Sequence, residues 1–140
     1  MSEKNNFSFL IADDHVLIRR AISGLLSHYF KGCEIATAGD GLELVSKALE
    51  KDFDLIMADI RMPNMDGIEA VKKIKGAKPH SKILVITAFD DLALRTTMFN
   101  NGVKGFISKS DSEEIIIASV RAVLMGKYFM DGKEVSKPSL

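Results

Sequence analysis

Three carboxylates stand where apolar runs stop. Phe9-Leu10-Ile11-Ala12 empties into Asp13-Asp14, and Leu55-Ile56-Met57-Ala58 empties into Asp59, which Met62-Pro63-Asn64-Met65-Asp66-Gly67 soon follows. If both runs are strands of one parallel sheet, their carboxyl ends share an edge. Open α/β proteins bind ligands at that edge, and the three carboxylates would meet there. At an effective dielectric of roughly 20, two unit charges about 4 Å apart cost on the order of 4 kcal/mol. Without a counter-ion, one carboxylate is expected to take up a proton. A hard divalent cation removes the conflict. A few protein oxygens completed by water suit Mg²⁺, which usually takes one or two carboxylates plus a phosphate.

Positioning these groups requires strands that alternate with helices, and the chain has that alternation. Residues 7–12 form a short apolar run. In residues 16–30, Leu17, Ala21, Leu25 and Ile18, Ile22, Leu26 recur at helical spacing. Lys31-Gly32 breaks the pattern, residues 33–38 read as a second strand, and Leu42, Val45 and Leu49 mark a helix after Gly39-Asp40-Gly41. Residues 54–58 read as the third strand, 68–75 as a short helix, and 82–87 as a fourth strand whose unbroken Ile83-Leu84-Val85-Ile86 implies burial on both faces. A fourth helix spans 92–100 and stops at Asn101-Gly102, residues that tolerate the left-handed conformation. Residues 105–107 make a brief fifth strand. Ser110-Asp111-Ser112-Glu113 has capping-box spacing and opens a last helix to about residue 125, with Gly126 as its stop. Five strands and five helices in alternation predict a doubly wound α/β fold with a parallel sheet and right-handed crossovers. Residues 127–140 show no apolar period long enough for another element and read as a linker or frayed end.

Bulk properties narrow the function classes. The chain has 140 residues, enough for one domain with one core. With 27% charged and 46% hydrophobic residues, its composition is that of a soluble globule. A formal net charge of +0 leaves no basic excess to hold nucleic acid by its phosphates, so any DNA-binding part is expected elsewhere. The single Cys33 excludes an internal disulfide, fits a reducing cytoplasm and reads as packing. The polar N-terminus and the short apolar stretch after it fit neither a signal peptide nor a membrane span, so a cytoplasmic location is expected.

Taken together, Asp13-Asp14 after strand one, Asp59 with Met62-Pro63 and Asp66-Gly67, Thr87 closing strand four and Lys109 after strand five resemble the receiver domain of two-component response regulators. The resemblance covers residues 7–127, leaving 128–140 as linker or tail. It implies a flavodoxin-like strand order 2-1-3-4-5 with five helices on two faces of a five-stranded sheet. It also implies that Asp59 is the nucleophile that takes a phosphoryl group from the phosphohistidine of a sensor histidine kinase. Asp14, Asp59 and the backbone carbonyl of Arg61 would ligate Mg²⁺, with Asp13 acting mainly through water. Lys109 would supply a second cation and Thr87 a hydroxyl to the phosphoryl oxygens. Such a domain is a signalling element that catalyses its own phosphorylation and dephosphorylation. Phosphorylation would draw Thr87 inward and let Phe106, the switch aromatic, turn, so that the surface of helix four, strand five and helix five changes. Phe106 departs from the commoner Tyr and has no hydroxyl to hydrogen-bond. Asp13-Asp14-His15, residues 101–106 and Gly126-Lys127-Tyr128-Phe129 are similar to receivers joined to LuxR-type helix-turn-helix output domains, which act in transcription regulation. DNA would be reached only through such a domain, not present in these residues; a stand-alone receiver in a phosphorelay is the alternative. Association through the first and fifth helices is a further expectation of the resemblance. Ala118 and Ala122 lie within the surplus apolar width of the fifth helix, which is either an interaction face or the mark of a helix sunk deeply between the sheet and its neighbour helices.

Each residue also has a plainer reading. Asp13 or Asp14 could cap the first helix, Lys109 could be a solvated charge, and Thr87 an ordinary β-branched strand residue. His15 is read as surface or supporting, because no second His or Cys lies at ligand spacing. Pro63 and Gly67 shape the loop and helix start. An aspartyl-nucleophile phosphatase of the haloacid dehalogenase type would carry an acid two residues after the nucleophile, where this chain has Arg61. No phosphate loop or dinucleotide fingerprint occurs.

Overall fold

A computed structural model describes residues 6–89 and 91–138. The elements run β1 (Ser8–Ala12), α1 (Val16–Tyr29), β2 (Glu34–Ala38), α2 (Gly41–Glu50), β3 (Leu55–Ala58) and α3 (Gly67–Ala77). They continue with β4 (Ile83–Thr87), α4 (Leu92–Asn100), β5 (Gly105–Ser108), α5 (Glu113–Leu124), β6 (Tyr128–Met130) and β7 (Lys133–Val135). The first five strands pair in parallel in the order β2-β1-β3-β4-β5, as expected.

Side-chain alternation along the strands divides the core into two layers. Leu10, Ala12, Ile56, Ala58, Ile83 and Val85 meet Leu44, Val71, Ile74 and Met98 from α2, α3 and α4. Phe9, Ile11, Leu55, Met57, Leu84 and Ile86 meet Ile22, Leu26, Val120 and Val123 from α1 and α5. Both faces of β1, β3 and β4 are therefore buried, which is why their sequences are continuous apolar runs. Cys33 packs partly buried against the α1–α5 layer.

Local chemistry sets the helix starts. Asp40, Asp66, Asp91 and Ser112 each accept the N–H three residues on, satisfying a donor that the first helical turn leaves without a partner. The last helix is thus capped by Ser112 and not through a box opened at Ser110. Instead, Asp111 accepts the N–H of Ser108, and the Ser110 and Ser108 hydroxyls share a 2.8 Å hydrogen bond. Gly102 and Gly126 follow α4 and α5 at positive φ, as their positions predicted.

Two expectations are corrected. Among the described residues the sheet has seven strands, not five, because the supposed tail folds into the β6–β7 hairpin, with β6 parallel to β5 and β7 antiparallel to β6. Its three-residue strands are too short to show a period, but Asp131 at φ 56° and Gly132 at φ 77° make the two-residue Asp-Gly turn that joins hairpins. That signal was in the sequence. Second, Ala122 is buried, together with Ile116, Ile117, Ser119, Val120 and Val123, so most of the surplus apolar width of α5 goes into the core; Ala118 stays exposed. Among the described residues no helix is long and apolar enough to cross a membrane.

Candidate functional site

Strand-end hydrogen bonds bring the sequence-separated groups to one edge. The Asp13 N–H donates to the Ala38 carbonyl at 3.1 Å, that of Asp59 to Ala12 at 2.9 Å, and that of Lys109 to Thr87 at 2.9 Å. Each tie extends the parallel ladder by a residue past the strand proper and fixes the register of the side chain that follows. Gly67 lets this edge close. Its N–H donates to the Ile60 carbonyl at 2.7 Å, and a β-carbon there would collide with the backbone of Asp59 and Ile60.

Asp59 is nearly fully buried, and Asp13 fully so. The Asp59 Oδ1 accepts the N–H of Ile60 at 2.7 Å and lies 3.4 Å from that of Arg61. Its Oδ2 accepts from the Lys109 ammonium at 2.9 Å, and the same ammonium stands 2.7 Å from Asp13 Oδ2. Lys109 therefore bridges the two buried carboxylates. Burial pushes the Asp59 carboxyl above its ordinary value, with the Asp13 charge adding to the rise and Lys109 opposing it. For Lys109, burial works downward, and its pairing with the Asp13 and Asp59 carboxylates outweighs it, raising its pKa.

Asp14 sits at the surface beside this pair, with its Oδ1 3.1 Å from His15 Nδ1; the same nitrogen lies 3.1 Å from Asp13 Oδ1. Neither acid caps α1. Its N-cap is His15, without a side-chain hydrogen bond, while Asp13 Oδ1 accepts the His15 N–H at 2.8 Å. Thr87 is buried, and its Oγ1 accepts the N–H of Phe89 at 3.0 Å. Asp14, Arg61, Thr87 and Phe89 border a cavity of about 640 Å³.

The donor chemistry fits a hard divalent cation. Asp13, Asp14 and His15 each offer a ligand atom, all within 4.8 Å of one another. Asp13 Oδ2 is buried, and its contact with Lys109 is an ion pair without the alignment of a hydrogen bond, so its lone pairs are poorly used. One ammonium against three carboxylates leaves net negative charge at this edge.

The structure therefore brings Asp13, Asp59 and Lys109 into contact and sets Asp14, Thr87 and Arg61 around the adjoining cavity. Phe106 stands apart on β5, its ring buried beneath the Arg95 guanidinium at 5.6 Å. Sequence reasoning passed over Arg19, which donates to the Asp13 carbonyl at 2.6 Å, and Phe89, whose ring lies 4.0 Å from the Arg61 guanidinium. No sequence spacing announces either contact.

A family model described as the response regulator receiver domain matches residues 9–121. The chain is 38% identical over 125 residues to oxygen regulatory protein NreC of Staphylococcus epidermidis, covering 89% of this chain and 57% of that protein. It therefore spans little more than half the length of that relative. A LuxR-family two-component response regulator from Aurantimonas superposes with a TM-score of 0.84 at 25% identity, covering 89% of each chain. The Vibrio cholerae chemotaxis protein CheY4 gives 0.76 at 29% identity, covering 84% of this chain and 98% of that one.

Proposed function

Since the chain belongs to the response regulator receiver domain family, we propose that it signals by accepting a phosphoryl group on Asp59 from the phosphohistidine of a sensor histidine kinase. An Asp59 carboxylate oxygen attacks phosphorus, the P–N bond breaks with its electron pair passing to the imidazole, and an acyl phosphate forms. The observation that carries this reading is the Lys109 ammonium held between the buried Asp59 and Asp13 carboxylates. Lys109 favours the ionised form of Asp59 that attacks, opposing the effect of burial, and is within reach of the new phosphoryl oxygens. The Thr87 hydroxyl, at the edge of the same cavity, exchanges the Phe89 N–H for a phosphoryl oxygen and donates its own proton to it.

Asp14, Asp59 and the Arg61 carbonyl would hold Mg²⁺, with Asp13 engaged mainly with Lys109 and through water. When bound, the ion neutralises charge shared between the carboxylates and the phosphoryl group. Asp13 orients Lys109 through its ion pair, and Ile60 orients Asp59 through its N–H. The same groups, with water as nucleophile, give the domain its own dephosphorylation.

The likeness to NreC and to LuxR-family regulators supports control of transcription through a helix-turn-helix output domain outside these residues, in the cytoplasm. A gene reading frame that stops at Leu140 would favour a stand-alone receiver instead. Self-association through α1 and α5 is supported by the exposed Leu17 and by the apolar groove that Ile18, Leu25 and Ile116 border.

Acetyl phosphate with Mg²⁺ should add the mass of one phosphoryl group, and Asp59→Asn should abolish the addition. Undiminished labelling of that variant would overturn the assignment. Steady turnover of a phosphate ester would point to a phosphatase.

A further inference from the structure

The β6–β7 hairpin lies on the face that the switch is expected to alter. Phe129 is buried in the α1–α5 layer and its N–H donates to the Lys104 carbonyl at 2.9 Å, while Tyr128 and Met130 pack against the opposite layer. The hairpin pairs with β5 at one position, Gly105 with Phe129. Its turn is held to α4 by Asp131, whose Oδ1 lies 2.8 Å from Arg95 Nη1. Arg95 in turn covers the Phe106 ring. Phe106, Ser108 and Ile115 border a cavity of about 220 Å³ whose other walls include Arg95, Asp131 and Gly132. A Phe106 ring leaving the core must enter this space, where it meets the guanidinium that Asp131 holds.

We propose that the β6–β7 hairpin is a strap whose docking is coupled to the phosphoacceptor through Phe106 and Arg95. The docked hairpin and the buried ring form one state, and phosphorylation stabilises both. This rests on the reading of Asp59 as phosphoacceptor. A phosphoryl group that draws Thr87 toward Asp59 favours the inward ring. With the ring inward, Arg95 pairs with Asp131, and the Asp131 contact holds the hairpin on α4. With the ring outward, that contact is displaced and the hairpin loses its tie to α4, keeping only the packing of Tyr128, Phe129 and Met130 and a single strand pairing. Coupling between binding equilibria is reciprocal, so the hairpin also biases the site toward its phosphorylated arrangement. A static cap over the β5 edge, which would only block edge-to-edge pairing, predicts no such link.

The test is amide hydrogen exchange across residues 128–135, with and without acetyl phosphate and Mg²⁺, with the added mass read on the same sample. Phosphorylation should slow exchange by about fivefold or more, the lower end of ordinary site-to-site coupling. Asp131→Asn removes the charge and keeps the turn, because Asn accepts positive φ; it should abolish the slowing while the phosphoryl mass is still added. Arg95→Gln should do the same from the other side. Full phosphoryl mass with unchanged hairpin exchange overturns the strap and leaves the receiver reading intact, as does slowing that persists in both variants. Absence of the mass overturns the receiver reading, and the strap with it.

Discussion

Lys109 occupies the point where two buried carboxylates would otherwise face each other, so part of the charge conflict expected from the sequence is relieved by the protein itself. The relief is incomplete, since the Asp13 charge still adds to a rise in the Asp59 pKa that burial dominates. A raised folded-state pKa means that the folded protein holds this proton more tightly than the unfolded chain does. The corresponding stability is present below the unfolded value and is lost as pH rises through the folded one. An ionised Asp59 is therefore a net cost to the fold. With a chelator present, Asp59→Asn should melt at a higher temperature than the parent at pH 7, and the gap should narrow as pH falls through the carboxylate range. A gap independent of pH would show that the gain does not come from the buried charge.

At the scale of elements, α3 carries two glycines with opposite duties. Gly67 opens the helix against the backbone of Asp59 and Ile60, where a β-carbon has no room, whereas a β-carbon on Gly76 meets nothing within 4 Å. Gly67→Ala should cost roughly 1–3 kcal/mol from overpacking, more than the helix propensity it gains, and should slow phosphoryl acceptance by displacing Asp59. Gly76→Ala should leave acceptance unchanged and stabilise by up to about 1 kcal/mol. Urea melts of the two variants check both signs, and equal shifts would remove the steric account. The hairpin shows the same dependence on context, because its three-residue strands form against the free edge of β5.

For the molecule as a whole, α1 and α5 share one face of the sheet and leave Leu17 and Ala118 exposed. Burial of α5 is deep enough that Ala122→Glu would place a charge in the core and report on folding, not on association. Ala118→Glu is the usable probe. It should weaken self-association of the phosphorylated chain in sedimentation without changing the phosphoryl mass added. A monomer at high concentration in both phosphorylation states would remove the α1–α5 contact as an association surface.

The sequence by itself determined the order and type of the first ten elements, because each is announced locally by an apolar run, a helical period or a capping residue. It also determined that Asp13-Asp14, Asp59, Thr87 and Lys109 would stand at strand ends, since a residue that follows a buried run in a parallel sheet has no other place to go. Tertiary structure alone decided which acid of the pair is buried against Lys109, a contact that joins residues far apart in the chain. It decided too that Phe106 lies under Arg95, that Ala122 is core, and that the tail closes onto the edge of β5. Those outcomes depend on which surfaces meet once the helices have packed. Local pattern fixes the direction of a chain segment but not what another segment brings against it.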